Sequence, residues 1–463
     1  MKKALASLLA AGMAASLLAG CGGSSSTAAS TADTSTAAST EASSTAESDA
    51  PLEGEITFWH SFTQGARMEA VQKAADKFME ANPGVKINIE TYSWGDFNTK
   101  WNAGLTTGDL PDMSTAQGTG EVVEMMNADV LTPIDDMVDD IGRDRFSANA
   151  LADMTSDGAT YGVPYYSHAQ VMWYRTDLLE AAGLEVPKTW DEFITLCQTI
   201  KDKGDMSPLV VGGSDVWHVG FLYDLCYAND VLESDPDFIE ECYKGEKDFS
   251  DANYQKAVTD LAEVLSFAQD GWASTPDAQI TTFFVNDMSA MMFSGTHMFG
   301  QISEAAPDFE YGWFAVPDRD GKINLLGGGT AGGWALSAEA AKDPDKQAAF
   351  DAFCKYFFSS DVYGEYCEQM AAIPTTVETP KMNSSEQFQA VLDALSAADY
   401  THLMWNQEVG NRELPPDFRN FTYKTCIEVA QGSRDIDSAS AELQKTWNVA
   451  LQSFNPTTGL GVE

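Results

Sequence analysis

Imidazole, hydroxyl, amide and broad aromatic side chains stand where predicted strands end, while the usual reactive signatures are missing. His60-Ser61-Phe62 closes the first alternating segment, Glu55-Ile56-Thr57-Phe58-Trp59. Gln117 occupies a glycine-flanked loop, Ala116-Gln117-Gly118-Thr119-Gly120, after Asp112-Met113-Ser114-Thr115. Trp217-His218 follows Gly212-Gly213-Ser214, behind the apolar run Leu209-Val210-Val211. Open α/β sheets collect ligands beyond the carboxyl ends of their strands, and these groups donate, accept and stack. There is no His-Glu-x-x-His and no Gly-x-Ser-x-Gly. The cysteines beyond Cys21 are Cys197, Cys226, Cys242, Cys354, Cys367 and Cys426, with no C-x-x-C pair. A zinc or thioredoxin-type site is therefore not indicated, no metal or cofactor is expected, and Cys226 with Cys242 is a candidate disulfide. Asp318-Arg319-Asp320-Gly321 is a fragment of a calcium loop without its remaining ligands and reads as a turn.

The elements that must position these groups alternate. Gly65 to Ala81 carries Val71, Ala74, Ala75 and Phe78 on one face, and Asn82-Pro83-Gly84 stops it. Val85-Lys86-Ile87-Asn88-Ile89 is a second alternating strand. Strand, helix, strand in that order predicts a mainly parallel sheet with helices packed on it. Downstream, the pattern predicts helices over 250–269, 340–358 and 438–454, and a strand over Ser289-Ala290-Met291-Met292-Phe293. Residues 52–463 exceed one ordinary core, so two lobes are expected.

The N-terminal 51 residues are of another kind. Lys2 and Lys3 precede an apolar run from Ala4 to Leu18, too short to span a bilayer. Leu18-Ala19-Gly20-Cys21 resembles a lipobox, which makes 1–20 a lipoprotein signal peptide and Cys21 the lipidated residue. Residues 21–51 are rich in Ser, Thr and Ala and read as a disordered tether. The 70 acidic residues against 27 basic ones, a net charge of −43, repel nucleic acid and anionic head groups.

Four stretches taken in order resemble the extracellular solute-binding proteins of ABC importers, in the branch of maltose-binding and glycerol-3-phosphate-binding proteins. They are Ile56 to Phe62; Tyr161-Gly162-Val163-Pro164-Tyr165-Tyr166 with Val171-Met172-Trp173-Tyr174-Arg175 and Asp177-Leu178-Leu179; Gly183-Leu184 through Pro187-Lys188-Thr189-Trp190-Asp191-Glu192-Phe193; and Gly327-Gly328-Gly329 to Trp334-Ala335-Leu336-Ser337, with Ile373-Pro374. The resemblance implies an α/β, two-lobed periplasmic-binding-protein-like fold of type II. Three interlobe crossings, near 167–169, 332–337 and 373–376, flank a ligand cleft. Lobe one would comprise 52–167 plus 335–374, and lobe two 170–332 plus 376–463. Hinge closure around the ligand would follow.

It further implies a substrate-binding lipoprotein outside the cytoplasm, anchored to the bacterial cell membrane through Cys21. Such a protein is a monomer that binds no nucleic acid and delivers a carbohydrate to membrane permease subunits. A sugar needs aromatic faces for its C–H groups and hydrogen-bonders for its hydroxyls. By location and family likeness the candidate contacts are His60, Ser61, Phe62, Gln117, Tyr165, Tyr166, His168, Trp217, His297, Gly328, Gly329, Trp405 and Arg412. His297 stands where sugar binders often carry a tryptophan, Gly328 to Thr330 would offer backbone N–H groups, and Trp334 reads as hinge packing. Arg412 is the sole cation in this set, so the pattern favours an uncharged mono- or oligosaccharide over glycerol 3-phosphate or a glycerophosphodiester. The competing classes are an extracytoplasmic glycosidase with paired carboxylates and a binding protein that feeds a membrane sensor kinase.

Overall fold

The computed structural model describes residues 51–62, 65–92, 94–116, 125, 128–156, 158–327, 330, 332–397, 405, 412–452 and 454. Cys21 with the expected signal and tether, and Gln117, Gly328 and Gly329, lie outside the described residues.

The first strand, β1 (Gly54–His60), alternates as its sequence requires and sends Ile56 and Phe58 into one apolar cluster and Trp59 into another. Helix α1 (Gly65–Ala81) buries Ala70, Val71, Ala74, Ala75 and Phe78, one stripe at helical spacing. The Asn82 backbone and side-chain N–H groups both donate to the Phe78 carbonyl, and the Val85 N–H donates to Asn82, which turns the chain into β2 (Val85–Thr91). β1 lies parallel to β2 and to β3 (Met113–Ala116). A two-stranded excursion, β4 (Thr155–Ser156) and β5 (Ala159–Thr160), leads to β6 (Val163–Tyr166).

The chain then enters a second sheet with β7 (Gln170–Tyr174), β8 (Ser207–Val210), β9 (Ser289–Gly295) and β10 (Gly312–Phe314), ordered β10-β7-β9-β8. It returns to the first with β11 (Gly332–Leu336), which completes the order β2-β1-β3-β11-β6 and runs antiparallel to both its neighbours. The expectation of mainly parallel sheets is therefore corrected. In the second sheet only β8 and β9 are parallel, while β7 is antiparallel to β9 and β10. The physical reason is that β7 and β11 arrive from the other lobe and need no crossover helix to reverse direction.

Helices cover both sheets. α2 (Val216–Tyr227) and α3 (Ala252–Leu265) pack with α8 (Pro416–Ala430) and α9 (Ile436–Ala450) over one face of the second sheet; α4 (Met298–Ala305) and α7 (Glu386–Ala397) cover the other. Period-two burial makes this work: on β7, Met172 faces the first set while Val171 and Trp173 face the second. α5 (Pro344–Phe357) and α6 (Ser360–Met370) return to the first lobe, against β1 and α1. The helix expected over 340–358 thus begins at Pro344, where Asp343 caps it, after a single 3-10 turn.

Where the chain passes between lobes, three segments run side by side. Ser167 and Ile373 exchange backbone hydrogen bonds of 2.8 and 3.0 Å, Ala169 pairs with Gly327, and the Gln170 N–H donates to Leu326 at 2.6 Å. All six described cysteines are buried free thiols, so the candidate disulfide between Cys226 and Cys242 does not form. Both instead fill the apolar core of the second lobe. The Asp318 turn is likewise a closed local structure: its carboxylate accepts from the Asp320 and Lys322 N–H groups. Among the described residues no helix is long and apolar enough to cross a membrane.

Candidate functional site

The ends of β1 and β6 bring one set of rings together. His60 lies 5.4 Å from Phe58 and 5.7 Å from Phe62, and Phe62 lies 5.7 Å from Tyr166 and 6.5 Å from Tyr165. Gly332 on β11 admits this packing, since a Cβ there would meet the Tyr165 and Tyr166 rings at 3.0 to 3.2 Å. Beneath them Trp334 is fully buried, 5.1 Å from Tyr165 and stacked on Phe353, a packing residue as its sequence context suggests. The wall is tight: His60, Phe62 and Tyr165 are all buried, and half-buried Ser61 is the more open of the first-loop candidates. The His60 Nδ1 accepts the Phe62 N–H at 3.1 Å, and burial pushes the ring's pKa down to about 4, so it is a neutral Nε2–H tautomer.

A second set gathers at the crossing and in the second lobe. His168 lies 5.5 Å from Phe221 and 6.4 Å from His297, and Trp217 lies 5.3 Å from Phe221. Gly295 lets the two histidines fold over the backbone: a Cβ there would meet His297 Nδ1 at 2.7 Å and His168 at 3.1 Å. His168, Trp217, Phe221 and His297 all keep a partly open face. Crowding by the surrounding walls still disfavours their charged forms. Burial and then the nearby Arg67 charge push His168 down to about 4, and burial with Arg67, His168 and His218 holds His297 well below its ordinary value. His218 plays another part. Its Nδ1 accepts the Gly212 N–H at 2.7 Å and its Nε2–H donates to the Phe293 carbonyl at 3.1 Å, which pins the start of α2 to β9.

The sequence reading misses two participants. Arg67, in the first turn of α1, holds its guanidinium 4.9 Å from the centre of the Phe62 ring. Its positive charge acts on Tyr166 and Tyr366 in the first lobe and on His168, His297 and Asp277 across the gap. Asp277 receives nothing from its neighbours at Oδ1, and burial beside Asp215 pushes its carboxyl up to about 7 against the opposing pull of Arg67. A charge in a helix's first turn ordinarily marks a solvated end, so nothing in sequence flagged Arg67. Among the described residues, His60 Nε2, Arg67 Nε, His168 Nε2 and Asp277 Oδ1 are buried polar atoms without a hydrogen-bond partner. Such atoms are rare in folded proteins and suit a place where a polar solute supplies the missing bonds.

Three expected contacts are placed elsewhere. Trp405 is fully buried among Tyr223, Tyr227, Tyr254 and Phe418, so its ring is core and not a stacking platform. Arg412 donates to the Pro236 carbonyl at 3.0 Å, next to Glu413, whose carbonyl accepts from Tyr243, so it joins the helical side of the second lobe. The Thr330 N–H, expected to face a ligand, donates to the buried Asp153 carboxylate, and its hydroxyl donates to the Ala150 carbonyl at 3.1 Å. The case for an uncharged guest rested on Arg412 being the lone cation, and Arg67 overturns that premise.

Comparison with known proteins places this arrangement. The family model for bacterial extracellular solute-binding proteins matches residues 62–362. A Brucella abortus (strain 2308) protein, named only as a binding protein, is 26% identical over 264 residues, 56% of this chain and 61% of its own length. The chain thus spans under two thirds of that relative. The multiple sugar-binding protein of Streptococcus mutans serotype c is 25% identical over 380 residues, 78% of this chain and 84% of its own. The solved structure of a chitin oligosaccharide binding protein superposes with a TM-score of 0.76 at 21% identity, covering 87% of this chain and 100% of that one, which shows a shared two-lobed fold.

Proposed function

The chain belongs to the bacterial extracellular solute-binding proteins, and on that premise we propose that it is the carbohydrate-capturing component of an ABC importer. The observation that carries this reading is the pair of facing aromatic and imidazole walls at the interlobe crossing, with unpartnered polar atoms between them. Aromatic faces suit the C–H side of a sugar ring, and the open nitrogens and carboxyl suit its hydroxyls. The names of the Streptococcus and chitin-oligosaccharide relatives point the same way.

In this reading lobe one is 52–167 plus 335–374 and lobe two 170–332 plus 376–463, with one boundary corrected: β11 pairs from Gly332 onward with β3 and β6, so lobe one takes up the chain again at Gly332 and the second crossing lies before it. Ser61, Phe62, Tyr166, His168, Trp217 and His297 hold the guest. Binding favours a closed form by its differential affinity for the two states, and permease subunits read that form. The guest leaves unchanged, so the protein is a receptor and not an enzyme. Lipid on Cys21 and the 21–51 tether hold a monomer at the outer face of the membrane; Leu18-Ala19-Gly20-Cys21 supports this.

A thermal-shift screen with mono- and oligosaccharides tests the reading. The correct sugar at 100 Kd adds about 2.7 kcal/mol to stability. No response to any sugar, or conversion of the sugar to product, overturns it.

A further inference from the structure

Cations in this acidic chain are rarely left without an anion. Arg143, Arg175, Arg319 and Arg434 each reach a carboxylate, and Arg145 donates to the Ile141 and Phe358 carbonyls. Arg67 is different. Among the described residues it makes no hydrogen bond and no ion pair; its recorded contact is the Phe62 ring, and its Nε is buried without a partner. With 70 acidic residues against 27 basic ones, chance would readily supply a neighbour. The Glu304 carboxylate comes within 2.9 Å of where a Cβ on Gly65 would stand, yet it forms no bond with Arg67. Leaving a guanidinium partly desolvated and unpaired is costly unless something else pairs with it.

The position of Arg67 says what that is. Phe62 belongs to the first-lobe wall, and the Arg67 charge reaches the histidines of the opposite wall. Guanidinium is a planar fork of donors that matches a carboxylate or phosphate in a two-point contact. Contact with the Phe62 ring restrains the side chain, which lowers the entropy lost on binding. His168 Nε2 lies unpartnered close by for a hydroxyl of the same sugar.

We infer that the cleft takes an acidic carbohydrate, a sugar carrying a carboxylate or phosphate, with Arg67 as its anion-binding residue. This rests on the carbohydrate reading above and narrows it.

The test is isothermal titration of the full chain with matched pairs of neutral and uronic mono- and disaccharides, galactose against galacturonate among them, and with glucose 6-phosphate as the phosphate arm. The same set is run on Arg67→Gln and Arg67→Lys, with melting temperature as the check on folding. The acidic member of at least one pair, or the sugar phosphate, should bind at least about tenfold tighter than its neutral counterpart. Arg67→Gln should abolish that preference by weakening the acidic member at least about tenfold more than the neutral one, and Arg67→Lys should restore part of it. Tight uronate binding identifies the carboxylate source, and tight sugar-phosphate binding the other. Preference for the neutral member, or equal weakening of both members by Arg67→Gln, overturns the inference and leaves the carbohydrate reading standing. Failure of every sugar, neutral and acidic, overturns both.

Discussion

Trp217 and Trp405 belong to the same lobe and are both large, flat and flanked by aromatics, yet they do opposite things. Trp217 stands in the first turn of α2, half-buried, against Phe221 and His218. Trp405 is enclosed by four rings, and its backbone N–H donates to Asp224 at 3.1 Å. The difference lies in what surrounds each residue. Trp217 follows a strand end and a Gly-Gly turn, where the sheet leaves its edge open. Trp405 sits among α2, α3 and α8, whose apolar faces need filling.

Substitutions can break or sharpen that contrast. The largest effect is expected for Trp405→Ala, which should cost about 3–5 kcal/mol in a urea melt by leaving a cavity under Tyr223 and Tyr227. A nearly neutral result would return Trp405 to the list of surface contacts. Next comes acid. His218 is buried, and both its nitrogens are used in a pattern that only the neutral ring satisfies. Its folded-state pKa, about 4, lies below the ordinary 6.5, so the unfolded chain binds the extra proton. The stability is present above pH 6.5 and drains away as pH falls towards 4, on the order of 3 kcal/mol for this ring. The comparison is with His218→Gln, which lacks this titration: parallel pH dependence of the two proteins between pH 7 and 4.5 would contradict the assignment.

Trp217→Ala should move stability by no more than about 1 kcal/mol while weakening sugar binding about tenfold. Unchanged affinity with a large stability loss would make Trp217 core as well. The smallest effect belongs to the cysteines. A thiol reductant should leave the melting temperature unchanged, and a drop of several degrees would reveal a bridge between Cys226 and Cys242.

Much of the fold was legible because local chemistry decides it. Gly65–Ala81 reads directly from an apolar stripe with a stop signal after it, and the structure keeps those bounds. Sheet direction was harder. β11 carries no mark in its own residues that it will run antiparallel between two strands laid down far earlier. The neighbourhood of Trp217 and His168, both beside Phe221, was partly legible, from the strand and Gly-Gly turn before Trp217 and from the family likeness around His168. It was opaque where tertiary contact decides: Arg67 gains meaning only from Phe62 and the wall opposite, and Trp405 loses its expected role only once three helices close around it.

The place of β11 also sets an order of events. The second sheet, though begun later, is finished by Phe314, whereas the first keeps β3 and β6 apart until Leu336 has been made. A chain emerging from its N-terminus therefore carries a half-zipped opening domain for some 170 residues beyond Tyr166, and the late-starting half reaches its finished sheet first.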